Sequence, residues 1–213
     1  MTRRLRANTP PQEGRRRRRQ AHESREEILR AARDLFAAEG YEGVSMRKVA
    51  ERAGCAPATI YSFFPSKRRL LHQIWEEVFR ELAEDLRSSY EKDADLEKLC
   101  ATYLDFWINR PDDYRAIFLT QDRPQAESED SGYFVDNSQA LSGLDIFCVA
   151  LSEAQARGEI QPGDPVEMRS ILFCAMHGVA LSLVTIPEYN WGDPTRLKIN
   201  TVRALVRGMR RTD

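Results

Sequence analysis

Histidine and cysteine are scarce in this chain, three and four residues respectively among 213. Cys55, Cys100, Cys148 and Cys174 lie far apart and form no C-x-x-C pair. That spacing suits neither a disulfide framework nor a structural zinc site, so reduced thiols, no metal and no other cofactor are expected. Glycine (11) and proline (10) are too few for a collagen-like or wholly disordered chain. Also missing are G-x-S-x-G, H-E-x-x-H, G-x-G-x-x-G and G-x-x-x-x-G-K-[ST], which argues against an enzyme. The carboxylate pair Asp112-Asp113 follows Pro111 and suits the first turn of a helix, where the dipole favours negative charge. No apolar leader is visible at the N-terminus, so a cytoplasmic protein is expected.

Long apolar runs are rare too. Residues 170–187, SILFCAMHGVALSLVTIP, carry no charge if His177 is neutral. The run just reaches the ~18 residues of a membrane span, but it contains two Ser, a Thr and a His and lacks flanking Lys or Arg clusters. It reads as a helix buried on all sides in a soluble bundle or dimer, with no membrane partner.

What is abundant is charge, and it is unevenly placed. The formal net charge of −1 hides eight Arg against one Glu in residues 1–20, nine basic against seven acidic groups in 21–69, and fifteen against twenty-five in 70–213. A basic front on an acidic body points to a polyanion partner at one end only. Residues 1–20 offer little to bury and carry Arg15 to Arg19 in an unbroken run, so they read as a disordered Arg-rich tail.

From Ser24 the pattern turns helical. Ser24 and Glu27 form a possible capping box, and Ile28, Ala31, Ala32, Leu35 and Phe36 fall on one helical face. Gly40 supplies a stop, Ser45 an N-cap for a helix over Met46–Ala53, and Gly54 a break. A third helix runs from about Ala56 to Phe63 with Pro57 in its first turn; Pro65 ends it, and Ser66 caps a fourth that reaches about Tyr90. Two short helices joined by a tight Gly-containing turn make a helix-turn-helix, with Val49, Ala53, Ile60 and Phe64 between them. The remainder reads as helices over 96–109, 111–119, about 133–158, 165–186 and 194–211, with a polar loop at 120–132. No period-2 alternation is sustained anywhere, so the expected fold is all-α, with about nine helices.

The stretch AARDLFAAEGYEGVSMRKVAERAGCAPATIYSFFPSKRRLL resembles the DNA-binding domain of TetR-type transcriptional repressors. The resemblance rests on Leu35-Phe36, Gly40-Tyr41, Ser45, Val49-Ala50, Ala53-Gly54, Thr59-Ile60-Tyr61 and Phe64-Pro65-Ser66-Lys67. Further on, Tyr103, Phe106, Arg110-Pro111, Tyr114, Phe118 and His177-Gly178 resemble the subgroup with a Trp-His-Gly pattern, although no Trp shortly precedes His177. The resemblance implies three parts: the tail at 1–20, a helix-turn-helix DNA-binding domain at 21–68, and a helical ligand-binding and dimerisation domain at 69–213. It implies a homodimer on a palindromic operator in double-stranded DNA, released when a small-molecule effector binds. Its phosphate-positioning contacts fall on Ser45, Thr59, Tyr61 and Lys67, and its base-reading positions on Met46, Arg47, Ala56, Pro57 and Ala58. Phe63 stands where many members have His, which removes a phosphate donor. Ala56, Pro57 and Ala58 can touch thymine methyls but cannot donate to guanine, which leaves Arg47 as the candidate for direct base reading and some specificity to DNA shape.

A ligand pocket should be mainly apolar with a few polar anchors. Candidates to line it are Trp75, Phe79, Tyr103, Trp107, Tyr114, Phe118, Phe173 and His177; each can equally be core, and His177 a buried imidazole bonded to a backbone carbonyl. Cys174, Gly178 and Ser182 form a small-residue stripe, and Ile199, Val202, Val206 and Met209 follow the 3-4-3 spacing of a packed seam; both suit a four-helix dimer interface. Three functions are weighed: a ligand-responsive repressor, a ligand-independent architectural or chromosome-organising DNA-binding protein, and an enzyme with a helix-turn-helix appendage, which the missing catalytic signatures argue against.

Overall fold

The computed structural model describes residues 12–119 and 138–210; the expected loop at 120–132 and the helix start at Tyr133 lie outside them, and the helix expected to end near Arg211 closes at Gly208. The chain divides into two compact units, Met1–Leu71 and His72–Asp213. It is all-helical: among the described residues no strand forms, and a lone antiparallel bridge joins Ile160 to Arg210.

In the first unit α1 spans Gln12–Gly43, α2 Met46–Arg52 and α3 Pro57–Phe63. The expected helix start at Ser24 is corrected: α1 already runs from Gln12, so residues 12–20 of the expected disordered tail are helical. Arg, Gln and Glu are good helix formers, and i,i+4 pairs, Arg19 to Glu23 at 2.7 Å and His22 to Glu26 at 3.7 Å, reinforce the extension. The backbone leaves helical geometry at Gly40, whose φ of 69° costs glycine little; Gly54, with φ 66°, makes the turn between α2 and α3. Ser45 caps α2 by accepting from Lys48 N at 3.2 Å. Ile28, Ala32, Phe36, Val49, Ile60 and Phe64 form the buried core, as the periodicity requires.

The helix α4, Lys67–Asp93, begins in this unit, where Ser66 Oγ accepts from Arg69 N at 3.1 Å. In the second unit α5 is Leu96–Ile108, α6 Pro111–Tyr114, α7 Ser138–Ala156, α8 Pro165–Thr185 and α9 Pro194–Gly208. The turn after α6, Arg115–Leu119, is wound as a π-helix where a plain continuation was expected. The central helix is α5: α6, α7, α8 and α9 all pack on it, and Leu99, Cys100, Leu104 and Trp107 are fully buried there. Asp164 and Asp193 cap α8 and α9 by accepting from Val166 N and Thr195 N, each at 2.9 Å, with Pro at the first helical position.

Two expectations about packing are corrected. Val202 and Val206 of α9 and Met209 at its C-cap are buried within the single chain and are not an open seam. Nor is α8 buried on all sides. Met168, Leu172, Met176, Ala180 and Val184 face the core, while Val166, Ile171 and Leu181 are 51%, 50% and 41% exposed. Cys174 and Gly178 share that open side, and a Cβ added at Gly178 would meet nothing within 4 Å. By length and composition α8 could cross a membrane, and most of its apolar window is unburied.

Candidate nucleic-acid interface and aromatic cluster

The helix-turn-helix displays most of the expected DNA-facing residues. Ser45, Arg47, Ala56, Pro57, Ala58 and Tyr61 are exposed, and Thr59 and Phe63 partly so. Met46 is corrected: at 7% exposure it belongs to the core and cannot reach a base edge. Its position directly after the Ser45 cap, on the α2 side that also buries Val49 and Ala50, sends it inward. Lys67 is half-committed. Its ammonium donates to the Tyr41 carbonyl at 2.8 Å and sits 3.9 Å from the Tyr41 ring centroid. The Tyr41 ring in turn stacks on Phe36 at 5.9 Å. Lys67 therefore pins the start of α4 to the end of α1, with two ammonium protons left for a phosphate. Arg25 covers the Phe64 ring at 5.5 Å.

In the second unit, seven of the eight expected pocket residues join one ring cluster. Phe118 lies 5.1 Å from Trp107, 4.8 Å from Tyr114 and 4.6 Å from the His177 ring; Phe79 meets Trp107 at 6.0 Å, and Phe173 stacks on Tyr103 at 5.3 Å. The eighth, Trp75, is buried beside His72, ring centroids 5.5 Å apart. Phe147 belongs to the cluster as well, 5.1 Å from Phe173 and 6.0 Å from Tyr103. Its signal was there: Phe147, Ala150, Leu151 and Ala154 hold the i, i+3, i+4, i+7 spacing of a buried face.

His177 bonds to two phenols and not to a backbone carbonyl. Tyr103 Oη lies 2.8 Å from Nε2 and Tyr114 Oη 3.1 Å from Nδ1. A neutral imidazole has one donor and one acceptor, so one phenol donates and the other accepts. Tyr114 O–H also donates to the His177 carbonyl at 3.4 Å, which suits a chain in which Tyr103 donates to Nε2 and Nδ1–H donates to Tyr114. Burial pushes the His177 pKa down and both phenols up, Tyr114 to about 12, so all three are neutral near pH 7. With the imidazole held neutral in the fold, the unfolded chain binds the extra proton below about 6.5. Stability should therefore fall as pH drops through that value and level off once the folded His177 also protonates. Urea midpoints at pH 7.5 and 5.5 should fall more steeply for the unaltered protein than for His177→Gln; parallel falls would remove His177 as the cause.

An exposed, donor-bearing helix-turn-helix beside a Ser-capped long helix defines a helix-turn-helix DNA-binding protein. Residues 28–74 match the family model of the bacterial regulatory proteins of the tetR family. This region is therefore a DNA-binding domain of the type found in the tetR-family regulators. The HTH-type transcriptional repressor KstR of Rhodococcus jostii is 53% identical over 49 residues, 23% of this chain and 23% of that protein. The chain thus spans about a quarter of the length of the KstR relatives that it matches. The fatty acid metabolism regulator protein of Bacillus subtilis is 27% identical over 150 residues, 69% of this chain and 76% of that protein. The crystal structure of the transcriptional regulator FadR from Bacillus subtilis in complex with stearoyl-CoA superposes with a TM-score of 0.70 at 21% identity, covering 85% of this chain and 97% of that one. At that identity the likeness shows the fold alone.

Proposed function

We propose that the protein is a cytoplasmic, homodimeric repressor that leaves a palindromic operator when a small, mostly apolar ligand binds. The observation that carries the reading is the exposed face of α2 and α3, with Arg47, Ala56, Ala58 and Tyr61 outward, on a domain that matches known repressors. In this reading Ser45, Thr59, Tyr61 and Lys67 hold phosphates, and residues 21–68 form the DNA-binding domain. Residues 69–213 bind ligand and dimerise. The open apolar side of α8 supports a second copy of the chain as its cover.

The aromatic cluster supports an apolar ligand, and the stearoyl-CoA bound by FadR makes a long-chain acyl-CoA the first compound to test. Capture and sequencing of bound genomic fragments should return a two-fold symmetric motif. Calorimetric titration of stearoyl-CoA into free protein and into the operator complex should then differ by about 5- to 150-fold, and operator affinity must change by the same factor. Equal affinities would remove acyl-CoA as effector. A second reading, DNA binding without a ligand, draws support from ring packing at 4.6–6.5 Å and from a His177 already saturated by protein partners. Capture of fragments without a shared motif would favour it.

A further inference from the structure

Inside the ring cluster of the second unit, the indole of Trp107 is fully buried and ringed edge-on by Phe79, Phe106, Tyr114 and Phe118 at 5.1–6.0 Å. Its N–H makes no hydrogen bond among the described residues. The polar group beside it is the Tyr103 phenol, which is already engaged with His177 Nε2 at 2.8 Å. An indole nitrogen can only donate, so it has no second way to be satisfied. A buried donor without a partner is costly, and each one in a folded protein calls for an explanation. The other polar groups of the cluster are spent on one another, since Tyr103, His177 and Tyr114 form a chain that ends on the His177 carbonyl. Those three are neutral near pH 7. The cations that flank the cluster in sequence are paired, Arg110 with Glu81, and Arg115 with Asp112 at 3.1 Å and the Val184 carbonyl at 2.7 Å.

We propose that the ligand of this unit buries an uncharged group with a hydrogen-bond acceptor, a carbonyl or ether oxygen, and that the Trp107 N–H is the donor that takes it. The proposal rests on the ligand-responsive reading above and adds what the ligand must carry. The surrounding rings supply the apolar lining, and the indole supplies the direction. A carboxylate would enter with no cation to pair it, and burying an unpaired charge costs far more than burying a ketone or a thioester. The thioester carbonyl of an acyl-CoA is an acceptor of this kind, and the carboxylate of a free fatty acid is not. Phe118, Phe173 and His177 are the partly exposed edge of the cluster, whereas Trp107 is closed off. Entry therefore requires a ring of that edge to swing out, and Phe118, on the π-helical turn 5.1 Å from Trp107, is the one beside the donor.

Probes of one shape test this on the full chain: acetophenone, α-methylstyrene, in which CH2 replaces the carbonyl oxygen, and benzoate. Titration calorimetry reads affinity, and NMR reads the Trp107 indole proton, assigned through NOEs to the Tyr114 and Phe118 rings. Acetophenone should bind about 2- to 12-fold tighter than α-methylstyrene, the worth of one neutral hydrogen bond, and benzoate more weakly than either. Acetophenone and stearoyl-CoA should move the indole proton downfield, and α-methylstyrene should not. Trp107→Phe should erase the ketone preference and keep α-methylstyrene binding, a split that a merely structural role would not produce. If that variant does not fold, the indole shift in the unaltered protein decides. Equal binding of acetophenone and α-methylstyrene, an indole proton unmoved by a bound ketone or thioester, or benzoate binding best would each overturn the proposal. So would an NOE from the indole proton to a buried water in the free protein, which would make that water its partner. If neither the probes nor stearoyl-CoA bind, the ligand-responsive reading itself falls and takes the proposal with it, an outcome distinct from the others.

Discussion

Deleting residues 1–19 is expected to flatten the salt dependence of DNA binding by about two units of log K against log salt. Each phosphate neutralised on B-DNA contributes a slope of about −0.9 through counterion release. The deleted segment carries eight Arg, five of them consecutive from Arg15 to Arg19. Because α1 starts at Gln12, that run is helical, and five positions stepping by about 100° encircle the axis. Two or three of them can face one DNA backbone, which gives a slope change of about 1.8–2.7 and, over a fourfold rise in salt, about 12- to 42-fold more affinity lost by the full chain than by the deletion. Arg3, Arg4 and Arg6 would add to this, and a shorter deletion of residues 1–11 measures their share. The larger deletion should still fold, since Ser24 and Glu27 offer a ready capping box for the shortened helix. An unchanged slope in both deletions would make the basic segment a bystander.

That helical extension also marks where sequence reading runs out. The helix-turn-helix was legible because its signals are local: the Ser45 cap, the break at Gly54, Pro57 at a helix start and Pro65 after a helix end each act within a few residues. Periodicity likewise picked out Ile28, Ala32, Phe36, Val49 and Ile60 as core. The Arg run misleads because composition alone favours a solvated tail, whereas continuity with a long helix and the Arg19–Glu23 pair hold it helical. Periodicity on α9 correctly marks an apolar stripe, but a stripe does not say which molecule it faces; Val202, Val206 and Met209 face their own protomer. On α8 the apolar residues surround the axis, so no pattern separates Met176, fully buried, from Leu181, 41% exposed. The His177 partners are 74 and 63 residues distant in sequence, and only the packing of α5 and α6 against α8 brings Tyr103 and Tyr114 to its ring. The exposure of Arg47 and the inward turn of Met46 beside it follow from the same kind of tertiary detail: two adjacent residues after one cap, about 100° apart around α2, one outside the buried face and one on it.

Gly178→Leu should convert the protein from dimer to monomer while leaving the protomer at least as stable. Within the protomer the substitution is unopposed, since a Cβ at Gly178 meets nothing within 4 Å. Glycine inside a helix also costs about 1 kcal/mol relative to good helix formers, so α8 itself should gain. If a second copy covers the open side of α8, where Ile171, Cys174, Gly178 and Leu181 lie, the glycine marks the closest approach of two helices. A leucine there wedges them apart. Overpacking costs typically 1–3 kcal/mol per site, and two-fold symmetry places the change in both copies, so the dimer should weaken by about 2–6 kcal/mol, roughly thirtyfold or more. Sedimentation velocity measures the association, and urea unfolding of the monomeric variant measures the gain in α8. DNA should report the same event, because two separated protomers hold two half-sites independently and lose the advantage of a linked second contact. Operator binding should weaken with the dimer, while binding to an isolated half-site stays as it was. A variant that sediments as an intact dimer would show that α8 is not the contact. Dimerisation would then have to use another surface, and since Val202, Val206 and Met209 are already buried in their own protomer, the face they form could not supply it.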